Sequence, residues 1–101
     1  MTPNRESVDA RFIDPDAYFD GLHPPGTFTI RERDGKAILY ATLPGGHLAM
    51  CTLKPGYPNG WEKRGTDEKP TLHPSILCRG GPDLKQERWH GWLREGRFVS
   101  V

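Results

Sequence analysis

A chain of 101 residues bounds a single small domain, and its 12 glycines and 10 prolines leave no room for long helices. The 35% hydrophobic share is low, yet well short of the depletion that marks a disordered chain. A formal net charge of +1 excludes both the basic excess of a nucleic-acid phosphate binder and the strong acidity of a nucleic-acid mimic.

Residues 1–11 are polar and without a period, which predicts a flexible N-terminal arm ahead of a β-rich domain over residues 12–101. No hydrophobic signal segment opens the chain, and no apolar run approaches the ~20 residues of a membrane span. The expectation is a cytoplasmic protein that makes no membrane contact. Cys51 and Cys78 are then reduced thiols, with a Cys51–Cys78 disulfide as the alternative.

Asp14-Pro15-Asp16 reads as a cap, a first helical residue and an acidic first turn, and Gly21 as a stop. Phe12, Tyr18, Phe19 and Leu22 are positioned to seat this short helix on the core. His23-Pro24-Pro25-Gly26 then breaks the chain. Thr27–Arg33 alternates apolar and polar side chains, Asp34-Gly35 is a tight-turn pair, and Lys36–Leu43 returns. His47–Leu53 adds a third strand after Pro44-Gly45-Gly46, which gives an antiparallel meander over residues 27–53.

The charged stretch 62–69 is a solvated loop or an edge hairpin. Thr71 to Cys78 reads as a strand interrupted at Pro74, which places it at an edge or a bulge because proline donates no ladder bond. Glu87–Arg94 and Arg97–Val101 form a last hairpin through Glu95-Gly96. The fold expected is all-β and mainly antiparallel, with about six or seven strands in one twisted sheet, a small sandwich or a barrel, and a short N-terminal helix.

Candidate chemistry concentrates between Trp61 and Arg94. On a strand, Trp89, Gly91 and Leu93 share one face while His90, Trp92 and Arg94 share the other. The second face could stack a flat ring and neutralise an anion, or could simply lie beneath a loop. Ser75 with His73 or His90, or Cys78 with His90, would supply a nucleophile beside a base. No Gly-x-Ser-x-Gly elbow accompanies them, and Ser75 could as well bond locally at a bulge.

Metal chelation is disfavoured. His47 and Cys51 are four residues apart and would stand ~13 Å apart at ~3.3 Å per residue. His73 and Cys78 fall on opposite strand faces unless Pro74 shifts the register. His73 with His90 remains a pairing across strands. The glycine pairs Gly45-Gly46 and Gly80-Gly81 lack a following helix and so make no phosphate cradle.

Trp61…Gly65, then Lys69-Pro70-Thr71-Leu72-His73-Pro74-Ser75-Ile76-Leu77, then Trp89-His90-Gly91-Trp92-Leu93-Arg94-Glu95-Gly96 resembles a family of small phage and prophage proteins. That family carries a domain without an assigned function, with a Pro-Thr-x-x-Pro-Ser-Ile core, a His-Gly-aromatic segment and a glycine turn. The resemblance covers roughly the C-terminal 40 residues and carries over Thr71, Pro74, Ser75, Ile76, His90, Gly91 and Gly96 as a pattern without roles. Leu43-Pro44-Gly45-Gly46-His47-Leu48 is similar to a Pro-Gly-Cys-Gly-His stretch in some members, with Gly46 in place of a cysteine. Trp89 stands where many members place another cysteine, so a zinc site in those members would be lost here.

The resemblance implies a non-enzymatic phage or prophage accessory protein that binds a host protein in phage–host conflict, inhibiting a defence system. The alternatives are a protein that sequesters a nucleotide-like signal, or a small metal-binding or hydrolytic enzyme. No cofactor, bound metal or catalytic residue is assigned. The binding residues expected are Trp61, Thr71, His73, Ser75, His90, Trp92 and Arg94, nucleic acid is disfavoured as a partner, and exposed strand edges make a homodimer an option.

Overall fold

The computed structural model describes residues 7–81, 83–84 and 86–101. Its elements are β1 (Ser7–Asp9), β2 (Arg11–Phe12), α1 (Pro15–Phe19), β3 (Thr27–Arg33), β4 (Lys36–Thr42), β5 (Leu48–Thr52), β6 (Glu62–Gly65), β7 (Pro70–His73), β8 (Ile76–Gly80), β9 (Gln86–Arg94) and β10 (Arg97–Ser100). The fold is all-β and mainly antiparallel, and its strands divide among three sheets ordered β1-β10-β9-β8, β2-β3-β4-β5 and β6-β7.

The arm expected over residues 1–11 lies outside the described residues as far as residue 6. From Ser7 onward the segment is paired. β1 runs antiparallel to β10, Ala10 N–H donates to Gly96 O at 2.9 Å, and β2 runs parallel to β3. One extended segment therefore joins the two four-stranded sheets. Among the described residues the resulting circuit is open between the end strands β5 and β8. There β6 makes a partial bridge, because Leu53 and Trp61 form a parallel pairing and Trp61 N–H donates to Thr52 O at 3.0 Å.

Inside the circuit lie Phe28, Leu39, Ala41, Leu43, Cys51, Leu53, Leu72, Ile76, Trp89, Leu93 and Phe98. Phe98 joins the two sheets edge to face, its ring centroid 6.5 Å from Phe28 and 6.0 Å from Trp89. The Asp34-Gly35 turn has φ of 52° and 76°, the left-handed pair that a two-residue hairpin needs.

At the other end of the meander, Asp14 caps α1 by accepting from Asp16 N–H at 3.0 Å. Tyr18 is buried and its hydroxyl lies 3.1 Å from Thr42 Oγ1. Phe12 sits edge-on against Phe28 at 5.6 Å. Phe19 and Leu22, expected to seat the helix, are 46% and 97% exposed. The helix stops at Phe19, so no helical turn carries Leu22 back to the core.

Candidate active site

β9 alternates as its sequence implies. Trp89, Gly91 and Leu93 are buried, His90 and Trp92 half-buried, and Arg94 exposed on the outer face. Gly91 is fixed by space. A Cβ there would lie 2.3 Å from Val99 O and 2.6 Å from the Trp89 ring, so only glycine lets β10 and that indole close in next to His90.

Ser75 sits in the joint between β7 and β8, just after Pro74 and before the buried anchor Ile76. Trp61 Nε1–H donates to Ser75 O at 3.3 Å, which ties the joint to β6. Ile76 pairs with Gly91 and Leu77 with His90, and this register brings Ser75 Oγ to 3.2 Å from His90 Nε2. A serine hydroxyl at hydrogen-bond length from an imidazole nitrogen is the first requirement of an activated nucleophile.

The third group is Glu87, which sequence reasoning did not single out. In an unbroken strand residues 87 and 90 point to opposite faces. The register runs Cys78↔Trp89 and then Arg79↔Glu87, so Arg88 is one extra residue in β9, a β-bulge. The Arg88 side chain lies over Gly80, and Glu87 returns to the face of His90. Its Oε1 is 4.0 Å from His90 Nδ1, with side-chain exposures of 63% and 31%. That separation is within ion-pair range and longer than a hydrogen bond, as catalytic contacts often are before substrate arrives. A Glu-x-x-His spacing carries no such meaning in a strand unless the bulge is known.

The other proposed pairs do not assemble. Cys78 is opposite Trp89, and cross-strand partners share a face, so its thiol points away from His90. Cys78 Sγ instead lies 3.9 Å from Leu48 O. His73 is exposed and faces Glu62 across β6–β7. The Glu62 carboxyl is held below its ordinary value mainly by Arg64, with Lys54 and His73 contributing. Thr71 serves the fold, since its Oγ1 accepts from Glu95 N–H at 2.8 Å and anchors the β9–β10 turn. Arg94 places its guanidinium 4.4 Å above the Trp92 ring, so one face of that ring carries a cation.

Both cysteines are unpaired, and burial pushes the Cys51 thiol up to about 12. Among the described residues no group of three or more His, Cys, Asp or Glu side chains is placed to hold a metal ion. The arrangement around Ser75 is thus a hydroxyl, an imidazole that can take its proton, and a carboxylate that can orient and balance the imidazolium, all open to solvent.

A family model described as bacterial ubiquitination-like system serine protease (BubE) matches residues 15–101. No curated protein and no solved structure matches the chain. The matched span includes every segment on which the likeness to small phage and prophage proteins rested, but the family is described as bacterial and as a protease. The reading as a non-enzymatic phage accessory protein that binds a host protein to inhibit a defence system is therefore overturned. That reading rested on the resemblance alone, and the hydrolytic alternative lacked a serine elbow in the sequence. The pair here is assembled across two strands and needs none.

Proposed function

The chain belongs to this BubE family, and from that premise we propose that it is a serine protease acting through Ser75, His90 and Glu87. The observation that carries the reading is the 3.2 Å contact between Ser75 Oγ and His90 Nε2 on an accessible face. In the first step His90 Nε2 takes the hydroxyl proton while Ser75 Oγ attacks the substrate carbonyl. The imidazolium then protonates the leaving group as the acyl–oxygen bond to Ser75 replaces the bond being cut. Water, deprotonated by His90, releases the acyl group and restores the serine. Glu87 is a positioning residue. It closes on Nδ1–H, fixes the tautomer that leaves Nε2 as acceptor, and balances the charge formed on the ring.

The family description supports a substrate within a bacterial ubiquitination-like system, so the bond cut is an acyl bond in a polypeptide of that system. Two unpaired cysteines support a reducing, cytoplasmic setting, and no helix among the described residues is long and apolar enough to cross a membrane. An alkyl fluorophosphonate tests the chemistry directly. It should attach to Ser75, seen as one adduct on the peptide that contains it, and Ser75→Ala and His90→Ala should each lose the adduct while keeping the far-UV spectrum of the parent. An adduct that persists in His90→Ala at the parent's rate would refute the pair.

A further inference from the structure

The opening in the strand circuit lies beside the nucleophile, and among the described residues neither β8 nor the Leu48–Met50 part of β5 has a strand partner on that side. On β8 the direction of each residue follows from its neighbours. Val101 N–H donates to His90 O, so His90 turns its backbone groups toward β10. Trp89 and Gly91 then turn theirs toward β8, where they meet Cys78 and Ile76, and Leu77 between those two turns its N–H and C=O outward. No strand pairs with β8 on that side among the described residues.

The facing wall is β5. Leu53 N–H donates to Ala37 O and Leu43 N–H to His47 O, so the odd-numbered residues of this stretch face β4. Leu48 and Met50 face the opening. Consistently, Thr52 and Lys54 spend their outward groups on Trp61, with Lys54 N–H donating to Trp61 O at 2.9 Å. Trp61 closes the lower end of the gap and touches Ser75. Farther up, a side chain alone crosses it, Cys78 Sγ reaching Leu48 O at 3.9 Å. The gap is thus bordered by two strand edges, lies in line with β6 and ends at Ser75.

Apolar side chains border it. Leu77, Leu48 and Met50 are 40%, 68% and 62% exposed. Leu48 and Met50 also line a groove of about 560 Å³ that runs beneath α1 past Phe19, Leu22 and Tyr40. We propose that the polypeptide cut by Ser75 lies in this gap as an added β-strand. It pairs with the N–H and C=O of Leu77 on one side and of Met50 on the other, and it sets apolar side chains against Leu77, Leu48 and Met50. Two edges without a strand partner among the described residues select an extended chain with its own amides, and the row of exposed aliphatic side chains selects apolar residues within it. The inference rests on Ser75 and His90 being the hydrolytic pair.

A probe series separates the two ideas. Alkyl fluorophosphonate attachment to Ser75 reports the chemistry without any strand. Three alanine diphenyl phosphonates then report the strand: one carrying only N-acetyl, one extended to N-acetyl-Leu-Leu-Ala, and the extended probe with its backbone amides methylated one at a time. In each, Ser75 Oγ forms a bond to phosphorus, phenoxide leaves, and His90 takes the serine proton. The extended probe should react at least about tenfold faster than the short one, the ratio expected of two ladder bonds. Methylation of at least one amide should remove that advantage, as should Leu77→Pro in the protein, read as the ratio of extended to short probe so that any change in the Ser75 chemistry cancels. Equal rates for extended, short and methylated probes, with the fluorophosphonate still attaching, would overturn the added strand and leave the protease reading intact. Failure of the fluorophosphonate to attach would remove both. Should Leu77→Pro not fold, the methylated probes decide on the unaltered protein.

Discussion

The β3–β4 hairpin and the β8–β9 pair are both antiparallel, and they are built to opposite standards. From Phe28↔Ala41 to Arg33↔Lys36 the hairpin pairs every residue without a shift, and Phe28, Leu39 and Ala41 are fully buried beneath it. The β8–β9 pair begins at a proline joint, carries a bulge at Arg88, ends its sheet, and turns His90, Trp92 and Arg94 outward. Regular pairing maximises burial and leaves nothing to react. Each irregularity in the second pair does something chemical: the joint presents Ser75, the bulge returns Glu87 to the face of His90, and β8, with no strand beyond it among the described residues, offers the edge on which the substrate strand is proposed.

The largest effects should separate the two regions completely. Ser75→Ala should lower hydrolysis by at least about 10³-fold, since removing a nucleophile leaves only binding and electrostatic assistance. Its thermal midpoint should stay close to the parent's, because Ser75 is half exposed and its hydroxyl meets one partner. Leu39→Ala should behave in the reverse way. Leu39 is fully buried, so truncation should cost about 2–5 kcal/mol, and each kcal/mol lowers the midpoint by about 4–8 °C in a domain this small. Below its own transition, Leu39→Ala should retain the activity of the folded fraction. A Ser75→Ala protein that is active, or a Leu39→Ala protein as stable as its parent, would break the contrast.

The bulge allows a finer test. Strict alternation places residue 88 on the face of His90, whereas the observed register places residue 87 there. Exchanging the two residues, Glu87→Arg with Arg88→Glu, keeps composition and net charge. The exchange should lower activity by about tenfold or more, as Glu87→Ala should, because a solvent-exposed orienting carboxylate contributes less than a buried one. Since Glu87 acts through His90, the loss should appear in kcat more than in KM and should be partly recovered by Glu87→Asp. Full activity in the exchanged protein would mean that the bulge is not maintained in solution.

Much of the regular region was legible in the sequence because its signals are local. Asp34-Gly35 specified the hairpin, Asp14-Pro15-Asp16 the cap, and Pro74 the break before β8. Alternation alone placed His90, Trp92 and Arg94 together. Local signals could not choose among Ser75–His73, Ser75–His90 and Cys78–His90. That choice depends on the register between β8 and β9, and a shift of one residue exchanges the faces. Glu87 was hidden for the same reason, since one unpaired residue inverts the alternation that pattern reading assumes. The paired N-terminal segment was missed because Ser7–Asp9 has no apolar period of its own and is held by backbone bonds to β10.

The smallest effect should distinguish the two cysteines, Cys51 on β5 in the hairpin's sheet and Cys78 on β8. Cys51 is 1% exposed on β5 and faces the closed core, while Cys78 is half-buried at the opening. Burial disfavours the Cys51 thiolate and pushes its value from 9.0 up to about 12. At pH 8 the fraction of Cys51 able to attack an alkylating agent is then on the order of 10⁻⁴, and iodoacetamide should modify Cys78 first, with Cys51 reacting only as the chain unfolds. The same shift has a sign for stability. A group that holds its proton more tightly when folded contributes stability that is fully present below pH 9.0 and is lost as pH rises toward about 12. The parent should therefore lose stability over that window more steeply than Cys51→Ala, which has no thiol to ionise. Denaturant melts of the two proteins between pH 8 and pH 11 measure the difference. Parallel curves, or Cys51 alkylated ahead of Cys78 in the native protein, would show that the β5 wall admits water and that the interior is less closed there than Leu39 and Phe28 imply.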